Sequence, residues 1–188
     1  MVNNIIGTQE IAEQMVRLIL RKGYNSISIK EISDLLDVPQ DDVLIHFKNE
    51  ESILLYILRR MQNELNQHIF SISDDQSLDV SGRLIKINQL LKDYFLDQKG
   101  CLIAAMGMEK ETIGNEAKEI MNSIFNDWKH TYTKLYSSQH TPYISDMLAT
   151  NAIIFIEGAI IWLRVTGEDQ PLKRVFKDID DKLTNTVN

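Results

Sequence analysis

The sequence predicts an all-α protein: an N-terminal three-helix helix-turn-helix head followed by a C-terminal helical bundle, about nine helices in all. Three observations carry this. Apolar residues recur at three- and four-residue spacing along nearly the whole chain. Only 3 prolines and 8 glycines occur among 188 residues, few for a loop-rich or all-β protein. No stretch alternates apolar and polar residues with the period of a strand.

The first helix is expected over about 9–22, where Ile11, Met15, Leu18 and Ile19 fall on one face. Thr8 is the candidate N-cap and Gly23 the stop. Ser28-Ile29-Lys30-Glu31 reads as a capping box opening a short second helix that ends near Leu36. Asp37-Val38-Pro39 then makes a tight turn, with Pro39 at the first position of a third helix running to about His46. Asn49 caps a fourth, and Glu50 and Glu51 suit the positive end of its dipole. Ile53, Ile57, Met61 and Leu65 carry that helix to about His68. The polar stretch 70–82, with Ser73-Asp74-Asp75-Gln76-Ser77, reads as a loop between two functional halves. Further helices are expected over about 84–96, 102–112, 116–137, 142–165 and 171–183. The domain division by role is 1–48 for the head and 49–188 for the rest.

Bulk composition bounds the function. Hydrophobic residues make up 44% and charged residues 25%, close to an average globular protein. The net charge of −7 lends no support to a basic nucleic-acid binder, although a local basic patch can sit on an acidic body. A lone cysteine, Cys101, builds no internal disulfide and fits a reducing compartment. The N-terminus has no basic segment followed by an apolar run, so no signal peptide is expected. The longest apolar stretch, Ala152 to Val165, is interrupted by Glu157 and Arg164 and falls short of the roughly 20 residues of a spanning helix. No membrane association and a cytoplasmic location are therefore expected.

Catalysis finds no support. The four histidines, His46, His68, His130 and His140, include no pair at i, i+4 and no H-E-x-x-H. Neither a Gly-rich phosphate loop nor a G-x-S-x-G elbow occurs. The expectation is a protein that is not an enzyme, with no catalytic residues, no metal and no cofactor.

A medium helix followed by two short ones joined by a tight turn is the arrangement whose second short helix enters the DNA major groove. The pattern Ile11-Ala12, Leu18-Ile19, Gly23-Tyr24, Ser28-Ile29, Glu31-Ile32, Val38-Pro39, His46-Phe47 and Ile53-Leu54, without a gap, strongly resembles the N-terminal domain of TetR family regulators. Gly100-Cys101-Leu102, Ile124-Phe125 near Trp128, Ile156-Glu157-Gly158-Ala159 and Pro171-Leu172 resemble the effector domain of one TetR subgroup. The resemblance implies a ligand-responsive regulator, a repressor in the first instance. Its implied partners are a palindromic operator DNA, a small effector, and a second copy docked through the last two helices.

The recognition segment departs from the family pattern. Gln40, Asp41 and Asp42 stand where members usually carry Lys-Gly-Ser/Thr, Leu44 where tyrosine is usual, and Glu50 where lysine is usual. From Ser28 to Glu51, two lysines face seven carboxylates, a net −5 on an element meant for a polyanion. The residues that the resemblance assigns to DNA are Ser28, Lys30, Gln40, Asp41, Asp42, Leu44, His46 and Lys48. Arg17, Arg21 and Lys22 are further sources of positive charge, and an aspartate at 41 or 42 can accept from cytosine. The alternative is a degenerate TetR-like ligand-binding or protein-interaction module with little DNA affinity.

Met121, Phe125, Trp128 and Tyr132 follow one another at spacings of four, three and four, with Phe155 and Trp162 on the next helix and Met106 on an earlier one. Such side chains line adaptable apolar pockets, and each also suits a plain bundle core. In a TetR-like fold they are the candidate lining for an apolar or aromatic effector. Glu157, inside an apolar stretch, needs a partner if buried. Arg164 or a cationic ligand is one reading, and partial exposure at the dimer edge is the plainer one.

Overall fold

The computed structural model describes residues 6–109 and 111–184. The ends of the expected domains, and the N-terminal stretch read for a signal peptide, fall partly outside the described residues. Among the described residues there are nine α-helices and no strand: α1 Thr8–Lys22, α2 Ile29–Leu36, α3 Gln40–His46, α4 Glu50–Glu64, α5 Val80–Gln98, α6 Leu102–Gly107, α7 Asn115–Tyr136, α8 Pro142–Thr166 and α9 Gln170–Thr184. By packing they form two units, one reaching up to Gln62 and including Leu102–Met121, the other holding Asn63–Cys101 and the chain from Asn122 onward. This division follows contact, whereas the division at residue 48 follows role.

In the first unit α1 packs on α2 and α6, and α2 on α3. Ile11, Met15, Leu18 and Ile19 of α1 are buried with Ile32, Val43, Ile53, Leu54 and Leu58, the apolar positions whose helical period marked these helices. Phe47 meets Tyr56 edge-on, ring centroids 5.5 Å apart. Two helix starts differ from expectation. Gly7, not Thr8, caps α1, and its N–H donates to the Glu10 carboxylate at 3.0 Å. Pro39 sits at the cap of α3, one residue earlier than expected, because its extended ψ of 147° keeps it outside the helix.

The second unit begins with a π-helical turn, Leu65–Ile69, and a 3-10 turn, Phe70–Asp74. The loop expected over 70–82 is thus partly helical, because Phe70, Ile72 and Ser73 are buried and hold the backbone against α5. Arg83 fixes the remainder, donating to the Asp75, Leu78 and Ser73 carbonyls. Asp79 caps α5 through the Gly82 N–H at 2.7 Å. α9 packs on both α5 and α8, burying Leu172, Phe176, Ile179 and Leu183. α8 is long and apolar enough, by length and composition only, to cross a membrane, with mean hydropathy 1.6 and one third of that stretch buried. Its buried side is Ser145, Ala149, Ala152, Ile156, Ala159, Ile160 and Leu163, of which Ser145, Ala149, Ala152 and Ala159 are small and let a neighbouring helix approach.

Candidate DNA-reading head and effector region

α2 and α3 are held by local and distant bonds together. The Ser28 hydroxyl oxygen accepts from the Glu31 N–H at 3.3 Å, which is half of the capping box. The return bond is absent, because the Glu31 carboxylate pairs with Lys22 and reaches Arg21 at 3.5 Å. Glu50 satisfies the next donor along, accepting from the Ile29 N–H at 2.8 Å. α2 ends where Asp37 turns left-handed, φ 54°, placing α3 across it. These partners change the meaning of the net −5. Glu50 caps α2, Glu31 is held by α1, Asp34 pairs with Lys30 at 2.6 Å, and Glu51 lies against Gly114.

The outward side of α3 is Gln40, Asp41, Leu44, Ile45 and the following Lys48, all exposed. That stripe carries one aspartate and one lysine and is therefore neutral. Of the expected DNA residues, Gln40, Asp41, Leu44 and Lys48 lie on it, Ser28 and Lys30 are exposed on the α2 side, and Asp42 and His46 are half-buried. Ile45, 79% exposed, was missing from the sequence reading. Its signal was the i, i+4 relation to Asp41 on a helix whose buried position is Val43.

Behind α2, the chain after α6 leaves its helix earlier than the expected residue 112. Glu109 turns back instead, its carboxylate accepting the Tyr24 N–H at 3.1 Å and the Asn25 N–H at 2.7 Å. Gly23 permits this approach. Its φ is +85°, and a Cβ there would collide with the Glu109 carboxylate.

In the second unit the aromatic residues form a column. Phe125 stacks on Trp128 at 6.5 Å, Phe95 stacks on Trp128 at 6.0 Å, and Tyr132 meets Trp128 edge-on at 6.0 Å. The Tyr132 hydroxyl donates to Asn88, whose amide donates to the Asp180 carboxylate at 2.6 Å. Burial pushes the Tyr132 hydroxyl far up, and pushes the Asp180 carboxyl up against the opposing Asn88 bond. Met106 and Met121 are buried in the first unit. Phe155 and Trp162, by contrast, point outward from α8, 61% and 51% exposed, and the Trp162 indole donates to Glu168 at 3.2 Å. They share that side with Met147, Ile154, Ile161 and Val165, whereas the buried side of α8 is the one centred on Ile156. Among the described residues no group of three His, Cys, Asp or Glu side chains is placed to hold a metal ion.

Residues 87–178 match the C-terminal domain of LmrA/YxaF-like transcriptional regulators, a TetR-type domain. Over this stretch the chain is similar to TetR family transcriptional regulators. The chain is 25% identical to the HTH-type transcriptional repressor DhaR of Mycobacterium sp. (strain GP1), over 93% of this chain and 91% of that protein. Its fold is similar to that of a TetR transcriptional regulator from Legionella pneumophila, with TM-score 0.82 and 20% identity over 95% of this chain and 98% of that one. A TetR family regulator from Agrobacterium tumefaciens is similar at TM-score 0.80 and 16% identity, over 93% and 96% of the two chains. The family match falls on the region whose sequence resemblance was the weaker one, and the helix-turn-helix half enters through the full-length similarity.

Proposed function

We propose that this chain is a homodimeric, effector-responsive TetR-type repressor that reads a palindromic operator through the outward side of α3. The observation that carries the reading is the neutral stripe Gln40, Asp41, Leu44, Ile45, Lys48 on a helix held across α2. Three of the seven carboxylates of the segment, Glu31, Asp34 and Glu50, are bonded within the head, which weakens their repulsion of a docked polyanion. Leu44 and Ile45 suit thymine methyls, Gln40 suits adenine, and Asp41 suits the cytosine amino group. No arginine lies on the stripe for the common bidentate contact with guanine. Lys30, Lys48 and Arg17 are exposed for phosphates.

The second copy is proposed to cover the outward side of α8. Met147, Ile154, Phe155, Ile161, Trp162 and Val165 make an exposed apolar row on one helix, the kind of surface that a water-exposed monomer does not keep bare. The same row explains the apolar composition of α8 without a bilayer. Phe155 and Trp162 then belong to the dimer, and the effector lining is narrowed to residues such as Phe125, Trp128 and Tyr132 in the second unit. The effector acts by changing the separation of the two α3 helices.

The test is selection from a random duplex library at low salt. Recovery of a palindrome whose affinity falls steeply with salt supports the reading. Ile45→Ala is expected to lower affinity about fivefold, the size of one apolar base contact of roughly 1 kcal/mol. Absence of any enriched duplex would instead favour the module without DNA affinity. Replacing Phe155 and Trp162 together by glutamate is expected to give a monomer by light scattering, and an unchanged dimer would remove α8 as the interface.

A further inference from the structure

One carboxylate inside the second unit stands without bonds. Glu157 follows the fully buried Ile156 on α8; both of its carboxylate oxygens are buried and neither has a hydrogen-bond partner. Arg164, on the same side of α8, makes no bond to it. Burial pushes the Glu157 carboxyl above the usual carboxylate range, and the opposing influence is a contact with the Cys101 thiol. Among the described residues no lysine, arginine or histidine acts on it.

The groups around it bring no positive charge. Cys101 is buried at the junction of α5 and α6. Beside it the Tyr94 hydroxyl is pushed up to about 12 by burial, by the Cys101 thiol and by the Glu64 carboxylate. Tyr94 packs edge-on to Phe95 at 5.3 Å, and Phe95 stacks on Trp128. The Trp128 indole N–H also lacks a hydrogen bond; it lies near the Tyr132 hydroxyl but outside bonding geometry. A buried carboxylate with a thiol and a phenol near an aromatic column, and no protein cation among them, is complementary to positive charge. A metal ion lacks the ligands for this place, since one carboxylate and one thiol leave its coordination incomplete. The two bare oxygens call for N–H donors, and the aromatic neighbours for an organic body.

We propose that Glu157, with Cys101 and Tyr94 beside it, is the anionic anchor of a binding site for an organic monocation, a protonated amine or amidine carried on an aromatic or aliphatic body. This deepens the effector reading and rests on it. The cation supplies the partner that Glu157 lacks, and the carboxylate is ionised when the site is filled. Selectivity for charge over shape follows, because an uncharged body of the same size leaves the carboxylate unpaired.

Titration calorimetry of the full-length protein at neutral pH with phenethylamine and with phenethyl alcohol tests this. The amine is expected to bind at least roughly tenfold tighter than the alcohol, the order of a buried charge pair. Glu157→Gln is expected to abolish that preference while keeping the binding of the alcohol and without lowering the melting temperature. Equal or tighter binding of the alcohol by the wild type, or a preference that survives E157Q, overturns the assignment and leaves the effector reading in place. Binding of neither compound, with no shift in melting temperature from either, overturns both.

Discussion

Two carboxylates lie inside the second unit, and they are treated in opposite ways. Asp180 accepts from the Asn88 amide at 2.6 Å, and Asn88 in turn accepts from the buried Tyr132 hydroxyl, so the three groups form one hydrogen-bonded chain. Glu157 has both oxygens buried and nothing donating to them. Burial raises the carboxyl in both cases, but only for Asp180 does a strong neutral donor oppose it. A satisfied buried network fixes one arrangement of α5, α7 and α9, whereas an unsatisfied group is a cost borne by the apo fold and relieved by a ligand. The contrast separates a structural polar group from a functional one on bonds alone.

The largest effect should come from breaking the hydrogen-bonded chain. Asn88→Ala removes the amide donor of Asp180, strands the buried Tyr132 hydroxyl and leaves a void. A loss of about 3 kcal/mol is expected. For a chain of this size that lowers the thermal midpoint by roughly 6–12 °C, read by circular dichroism. A loss under about 1 kcal/mol would show that the network is no more structural than its surroundings.

A smaller loss, about 1 kcal/mol, is expected of Tyr132→Phe, which removes one donor and keeps the ring against Trp128. If it equals the Asn88 variant, the hydroxyl and not the amide is the centre of the network.

Glu157→Gln should move the other way, raising neutral-pH stability by up to about 1 kcal/mol, because it removes a buried charge with no donor. The sign of its pH dependence follows from the raised carboxyl. The folded state binds the proton more tightly than the unfolded chain, so Glu157 lowers stability as pH rises above the ordinary value of 4.5. The advantage of the glutamine variant should therefore appear on going from acid to neutral pH and vanish below that value. Denaturant midpoints across the range measure it, and an advantage independent of pH would mean that the carboxylate is solvated after all.

Much of the first unit was legible because its signals are short-range. The helical period of Ile11, Met15, Leu18 and Ile19 marks the buried side of α1, and Ser28 marks the start of α2 from three residues away. The TetR pattern in the head extended that reading to function. Less of the effector region was legible. Trp128 and Tyr132 share the buried column, but Phe155 and Trp162 repeat at a spacing equally good for a pocket or for an outward row. Only packing against α9 decides which side of α8 faces inward.

The sequence by itself determined the helices and the order of the head, since each depends on residues within one or two turns. The tertiary structure decided what no spacing encodes. Glu50 completes the cap of α2 from 21 residues away, and Glu109 binds the Tyr24 N–H from 85 residues away. It thereby turned an apparently acidic reading segment into a neutral stripe. It also decided that Glu157 is buried without a partner, because burial and hydrogen bonding are properties of neighbours brought together by folding, and the chain names those neighbours only once it is packed.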